Sequence, residues 1–208
     1  APEWSTRKIS PKVVQNAYNK IINQQNKIGL SPLHIACAKD FVGDDSMAVI
    51  LGDNIFEDDF SDEVTKFDKD QSKSKIFLKE VKDPERFGVA TIKGDKVIAI
   101  SEKPKQPATN FVTVGFFLYT PDVFDKIKTL VPSARNELEI ADVHNMYIKE
   151  RALSYEIVKG FWSDAGTFDS LHSTCMWVAE KNGKKKNLRL LSQASTKWCF
   201  QHRLCVAW

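Results

Sequence analysis

The sequence predicts an α/β domain built on a mixed sheet. Between residues 46 and 180, short apolar runs suited to strands alternate with segments of helical period. Two of the strand-like runs are joined by Gly94-Asp95, a two-residue hairpin signal that a purely parallel doubly wound sheet would lack. The chain has 208 residues with ordinary apolar and charged fractions, enough for one domain with a sizeable core.

The elements follow in order. Ser10-Pro11 supplies an N-cap and a proline at the first helical position, and Val14, Tyr18, Ile21 and Ile22 recur at helical spacing up to Gly29. An amphipathic helix over about 11–27 is expected. Gly29-Leu30-Ser31-Pro32-Leu33-His34-Ile35-Ala36 resembles the opening of an ankyrin repeat, in which a turn feeds a short helix, but no second copy occurs. One such repeat cannot bury its own apolar face, so an interaction module of that type is not expected. His34 reads as a packing or capping histidine. Strands are expected at 47–51, 75–81, 87–93, 96–101, 111–119 and 154–159, and helices at about 58–69, 121–129, 136–150 and 166–180. Residues 1–37 thus form an atypical N-terminal helical segment, 38–180 the α/β domain, and 181–208 a basic tail that reads as disordered or foreign to the fold.

The net charge of +3 conceals two parts, because residues 181–208 hold seven Lys/Arg and no acidic residue, which leaves the body at −4. The tail reads as a solvated terminal charge run rather than a nucleic-acid-binding arm. Cys199, His202 and Cys205 are metal ligands by type, yet no fourth ligand accompanies them at a zinc-site spacing. The four cysteines give no disulfide framework, no apolar stretch is long enough to span a bilayer, and no signal-peptide pattern opens the chain. A cytoplasmic protein that binds neither membrane nor nucleic acid is the expectation.

Two acidic turns follow strand-like segments: Leu51-Gly52-Asp53-Asn54 and Trp162-Ser163-Asp164-Ala165-Gly166. Each places a carboxylate beside a glycine, and two carboxylates meeting at strand ends make a hard oxygen site for a divalent ion carrying phosphates. Taken singly, each is also an ordinary surface turn.

Six strings occur in order: L-G-D-N-I-F (51–56), D-P-E-R-F-G-V (83–89), S-E-K-P (101–104), N-F-V-T-V-G (110–115), P-S-A-R-N-E-L-E-I-A-D-V (132–143) and W-S-D-A-G-T (162–167). Together they resemble the sugar-1-phosphate nucleotidyltransferases, and the string at 132–143 resembles the glucose-1-phosphate thymidylyltransferase branch rather than the uridylyl one. The resemblance covers about 38–180. It implies a three-layer nucleotide-diphospho-sugar transferase (Rossmann-like) fold with a mixed sheet, N-terminally incomplete. It implies Mg²⁺-dependent transfer of dTMP from dTTP to glucose-1-phosphate, giving dTDP-glucose and pyrophosphate, by a homo-oligomer. No protein nucleophile is needed for such a reaction.

Carried over by position, the resemblance makes Asp53 and Asp164 the Mg²⁺ ligands and catalytic carboxylates, and Leu51 and Gly52 neighbours of the nucleotide. Gly88 would lay its backbone against the sugar, Glu102 would accept hydrogen bonds from sugar hydroxyls, and Lys103 would face the sugar phosphate. Thr113 stands where the family usually has valine, Arg135 would reach the phosphate with a bidentate fork, and Trp162 would wall the sugar site. Bland alternatives stand beside several of these: a surface ion pair for Glu102-Lys103, a surface charge for Arg135, and core packing for Trp162 and Leu51. Asn136, Glu137 and Glu139 read as a helix start, and Asp58 and Asp59 as another.

The family's opening G-G-x-G-T-R-L loop, whose amides cradle the triphosphate, has no counterpart in this sequence. Its P-x-G-[IL]-A-x-A segment is matched only loosely by Pro32-Leu33-His34-Ile35-Ala36-Cys37-Ala38. Weak catalysis with retained sugar-phosphate and metal groups is therefore expected. The alternative is a catalytically inactive sugar-phosphate-binding or regulatory module.

Overall fold

In the computed structural model, residues 30–184 and 204–207 are described. The helix expected at 11–27 lies outside them, as do Cys199 and His202. The chain enters through helix α1 (Leu30–Cys37) and the short α2 (Lys39–Val42), then strand β1 (Met47–Leu51) and β2 (Asn54–Phe56). Helix α3 (Ser61–Phe67), strand β3 (Ser74–Glu80) and a 3₁₀ turn at Pro84–Arg86 follow, then β4 (Gly88–Lys93), β5 (Lys96–Glu102) and β6 (Phe111–Tyr119). The remainder is α4 (Val123–Lys128), α5 (Ile140–Lys149), β7 (Leu153–Ile157), β8 (Trp162–Asp164), α6 (Phe168–Lys184) and β9 (Leu204–Ala207).

Strand β6, nine residues long, is the spine of a seven-stranded mixed sheet. Strand β3 lies antiparallel along it from Tyr119 to Phe111. A strand has two edges, so β1 and β4 must share the other. β1 pairs with Phe116–Tyr119 and β4 with Val112, both antiparallel. β7 adds in parallel to β3, and β5 closes the β4 side as a hairpin whose turn holds Gly94 at φ +62°. That conformation is one glycine reaches without steric penalty. On the far side of β1, Leu204–Ala207 runs parallel to Ala48–Leu51, so a strand arises within the stretch that composition sets apart as a basic tail. β2 and β8 form a separate two-stranded ribbon.

The period-2 alternation of the strands sorts the core into two faces. Met47, Val49, Ile76, Leu78, Phe117 and Tyr119 face helices α1, α2, α4 and α5, joined by Ile35, Val42, Phe124 and Tyr147. Ala48, Phe77, Val114, Phe116 and Leu118 face α3, through Val64 and Phe67. Helices on both faces of a mixed sheet are the three layers expected. Phe60, Phe77 and Phe116 form a tight aromatic set in the second face, with centroids 4.7–4.8 Å apart.

Several element boundaries differ from expectation, two of them at acidic residues. The helix expected from 136 begins at Ile140, because Asn136 sits at φ +59°, Glu137 lies in a bend, and Glu139 is the extended N-cap residue. Only one of the two aspartates expected at a helix start serves there: Asp59 accepts from the Ser61 amide and hydroxyl at 2.9 and 2.6 Å. Asp58 instead accepts from the amides of Lys159 and Gly160, at 2.9 Å each, and pins the loop before β8. From the other side Lys79 Nζ donates to the carbonyls of Val158, Lys159 and Gly160.

His144 is fully buried, with Nε2 2.6 Å from the Tyr119 hydroxyl, and burial pushes its pKa down to about 3. The folded chain keeps it neutral, whereas the unfolded chain protonates it below its ordinary value of 6.5. Its contribution is therefore complete above that value and declines as the pH falls toward the folded pKa. Between pH 8 and pH 5 wild type should lose about 2 kcal/mol more than His144→Gln, on the scale of about 1.4 kcal/mol per pH unit below the unfolded pKa. Urea unfolding of both proteins at each pH measures this, and parallel pH profiles would contradict it.

Candidate functional site

The shared edge of β6 leaves a gap. β1 pairs through Ile50 with Phe116, β4 pairs through Val89 with Val112, and Thr113 to Gly115 lie between these pairings. Asn54, just after the Gly52-Asp53 turn, reaches into this gap and accepts the Gly115 amide on Oδ1 at 2.8 Å. The same oxygen accepts the Trp162 indole N–H at 2.7 Å. Two donors on one side fix which end of the amide is the oxygen, so Nδ2 faces Asp53 and donates to its Oδ1 at 2.8 Å. A Cβ at Gly115 would fall 2.6 Å from Asn54 Nδ2, so this approach requires glycine. Asn54 is a neighbour of the candidate site that sequence reasoning passed over, although it stands beside Asp53 in L-G-D-N.

The two acidic turns meet. Asn54 pairs with Asp164 across the β2–β8 ribbon, and the Ala165 amide donates to the Asp53 carbonyl at 2.8 Å. A Cβ at Gly166 would lie 2.8 Å from Asp164 Oδ1 and 3.3 Å from Asp53 Oδ2, so both carboxylates converge on one point over that glycine. Asp164 is held above the usual carboxylate range, first by burial; the Gly166 amide opposes this, the Asp53 charge adds to it, and Arg86 opposes it. Among the described residues no group of three or more His, Cys, Asp or Glu could hold a metal. Two convergent carboxylates nevertheless fit Mg²⁺, which takes few protein ligands and keeps its other positions for water and phosphate oxygens.

The residues expected at a sugar site gather on the β4–β5 side. Gly88 pairs with Glu102 across the hairpin, and a Cβ on it would lie 2.7 Å from Thr113 Oγ1 and 3.2 Å from Glu102 Oε2. Gly88, Glu102 and Thr113 thus occupy one spot, with Thr113 Oγ1 donating to the Gly88 carbonyl at 3.3 Å. Phe87, next in sequence to Gly88, meets Trp162 edge-on at 5.4 Å, which ties this group to the acidic pair. Glu102 is pushed above its ordinary pKa, first by burial and then by Glu139, against the pull of Lys103 and Arg135. Lys103 is exposed at φ +43°, its amide bonded to the Phe87 carbonyl at 2.9 Å. Leu51 packs against the main core, which accounts for it without a ligand, and Gly52 lies in the turn that carries Asp53.

Arg135 is placed differently from the fork expected for a phosphate. Its Nε and Nη2 grip Glu139 at 2.8–3.1 Å, and Nη2 is also 3.0 Å from Glu137 and 3.8 Å from Glu102. Glu139, read from the sequence as a helix start, spends its carboxylate on this arginine. No signal local to the string 132–143 distinguishes those two uses.

A family model described as nucleotidyl transferase matches residues 8–181. The chain belongs to the nucleotidyl transferase family. The match reaches well into the segment before residue 38, beyond the strings that carry the sequence resemblance. The nucleotidyltransferase Agl11 of low-salt glycan biosynthesis, from Haloferax volcanii, is 38% identical over 168 residues, covering 79% of this chain and 46% of its own. A glucose-1-phosphate thymidylyltransferase of Neisseria meningitidis is 36% identical over 144 residues, covering 67% of this chain and 50% of its own. The chain spans about half the length of the curated relatives it matches. Among solved structures, a Bacillus anthracis protein described as a glucose-1-phosphate thymidylyltransferase, in complex with sucrose, is 46% identical with a TM-score of 0.68, over 73% of this chain and 61% of its own. The resemblance to sugar-1-phosphate nucleotidyltransferases and the three-layer fold are both borne out at the level of the family. No helix among the described residues is long and apolar enough to cross a membrane.

Gly166 generates a test of the acidic pair. Gly166→Ala should drive the carboxylates apart and weaken Mn²⁺ binding by about tenfold, the scale on which groups supporting metal ligands act. Its backbone lies outside the left-handed region, so stability should change little. Titration followed by electron paramagnetic resonance reads the affinity, and a wild-type value would exclude a shared metal position.

Proposed function

We propose that this chain carries the sugar-phosphate- and metal-binding half of a glucose-1-phosphate thymidylyltransferase site, which transfers dTMP from dTTP to glucose-1-phosphate. The observation that supports the reading best is the convergence of Asp53 and Asp164 over Gly166, joined through Asn54 and Trp162 to the Gly88–Glu102–Thr113 group. A metal between two carboxylates, next to a hydroxyl-binding glutamate and a flat indole wall, suits a phosphorylated sugar better than a free nucleotide alone.

Within this reading each residue has a defined task. Glu102 accepts hydrogen bonds from sugar hydroxyls, and Gly88 lets the ring lie against the strand. Trp162 presents an apolar face to the ring and excludes water from one side. Lys103 and Arg135 set positive charge near the sugar phosphate, aligning its oxygen for attack on the α-phosphorus. Asp53 and Asp164 would hold Mg²⁺, which when bound offsets charge on the phosphate oxygens. Alignment and charge stabilisation suffice, because the attacking oxygen belongs to the substrate. A cytoplasmic homo-oligomer that binds neither nucleic acid nor membrane belongs to the same reading.

Calorimetry with glucose-1-phosphate and Mg²⁺ should detect binding that Glu102→Ala weakens by about tenfold, the scale of losing hydrogen bonds to a charged group. Equal binding by the two proteins would refute the site. Pyrophosphate release by the 208-residue chain alone, from dTTP and glucose-1-phosphate, should be weak, because its sequence holds no G-G-x-G-T-R-L loop. Turnover at the level of a complete enzyme would overturn that expectation.

A further inference from the structure

One guanidinium stands among three carboxylates where β5 meets the turn before α5. Arg135 Nε and Nη2 form a side-on pair with Glu139, at 3.1 Å and 2.8–3.0 Å. Nη2 also lies near Glu137 and Glu102. Nη1 has no partner among the described residues, and the residue is exposed. Glu139, in contrast, is buried, with 7% of its surface accessible.

Glu139 is itself fixed. Ser133 Oγ donates to its Oε1 at 2.7 Å while accepting the Arg135 amide at 3.1 Å, and the Ser133 amide donates to the Glu137 carbonyl at 2.8 Å. Although Glu139 stands at the N-cap of α5, its side chain makes no capping bond there. A buried carboxylate that declines the helix amides needs its cation, and removing one partner of such a pair leaves an uncompensated charge. Arg135 therefore cannot leave Glu139 to wrap a phosphate, and the free Nη1 end is what it can offer.

We propose that Glu139 is a positioning residue that holds Arg135 beside Glu102 with its Nη1 end outward, so that the site favours a phosphorylated sugar over the same sugar without phosphate. This rests on the sugar-1-phosphate reading given above. The local charge separates the proposal from its rival. Glu102, Glu137 and Glu139 outnumber Arg135 and Lys103, so if Glu139 were only background charge, neutralising it would strengthen the binding of an anion. Positioning has the opposite sign. A guanidinium freed from Glu139 turns to Glu102 and Glu137, loses its fixed direction, and competes with sugar hydroxyls for Glu102.

The test is calorimetry with glucose-1-phosphate and with glucose, in Mg²⁺, on wild type, Glu139→Gln, Glu139→Asp, Arg135→Ala and the double variant Arg135→Ala/Glu139→Gln. Thermal unfolding of each accompanies it. Glu139→Gln should weaken glucose-1-phosphate by on the order of tenfold, as expected for a mispositioned charged hydrogen bond. Glu139→Asp keeps the charge, draws the guanidinium back by one methylene, and should weaken it as well if the glutamine variant does not fold. In the Arg135→Ala background Glu139→Gln should have no further effect, since the glutamate acts through the arginine. Tighter or unchanged binding by both Glu139 variants overturns the proposal, as does an equal loss from Glu139→Gln with and without Arg135, which would mark a structural role. These outcomes leave the sugar-phosphate reading standing. Failure of wild type to bind glucose-1-phosphate removes that reading, and the positioning role falls with it.

Discussion

Strand β6 must serve three partners with two edges, and the rest of the site follows from how it does so. β3 runs along one edge, with a register shift between Ile76 and Leu78, so β1 and β4 divide the other and part company around Thr113 to Gly115. A backbone amide left between two strands needs an acceptor, because an unpaired buried donor is costly. Asn54 supplies it at Gly115, and the same side chain then catches Trp162 and orients Asp53. The parting of two strands thus brings the end of β1, the start of β4 and the β2–β8 ribbon to one place. Ligands of α/β sheets collect at such discontinuities.

The site is rich in negative charge that the fold does not fully compensate. Asp53 and Asp164 press together over a glycine that has no side chain to hold them apart. Glu102 is partly buried near Glu139; Arg135 offsets both carboxylates, and Lys103 offsets Glu102. Desolvation raises the free energy of each charge, and a divalent cation bound between the two aspartates would offset part of it.

The strands were legible because their signals are local. Near-continuous apolar runs mark 47–51 and 111–119 to the residue, and Gly94-Asp95 announces the β4–β5 hairpin. The ribbon of β2 and β8 was not legible, since three-residue strands carry no period and their partners lie about a hundred residues apart. Nor was β9, within a basic stretch that composition alone sets aside. The start of α5 was misread because Glu137 and Glu139 suit a helix N-terminus by charge, whereas Asn136 at positive φ delays the helix and Arg135 claims both acids.

The sequence by itself determined the chemistry on offer: two carboxylates beside glycines, a glutamate-lysine pair after a strand, a tryptophan before an aspartate, and the strings that mark the family. These are local facts, written in residue type and spacing. Only the tertiary structure decided what each group does with its neighbours. It turned Asn54 from a turn residue into the link between Trp162 and Asp53, and it bound the fork of Arg135 to Glu139 instead of leaving it free. Such assignments depend on which distant hydrogen-bonding partner arrives within about 3 Å, and that is settled by how strands share the edges of a sheet.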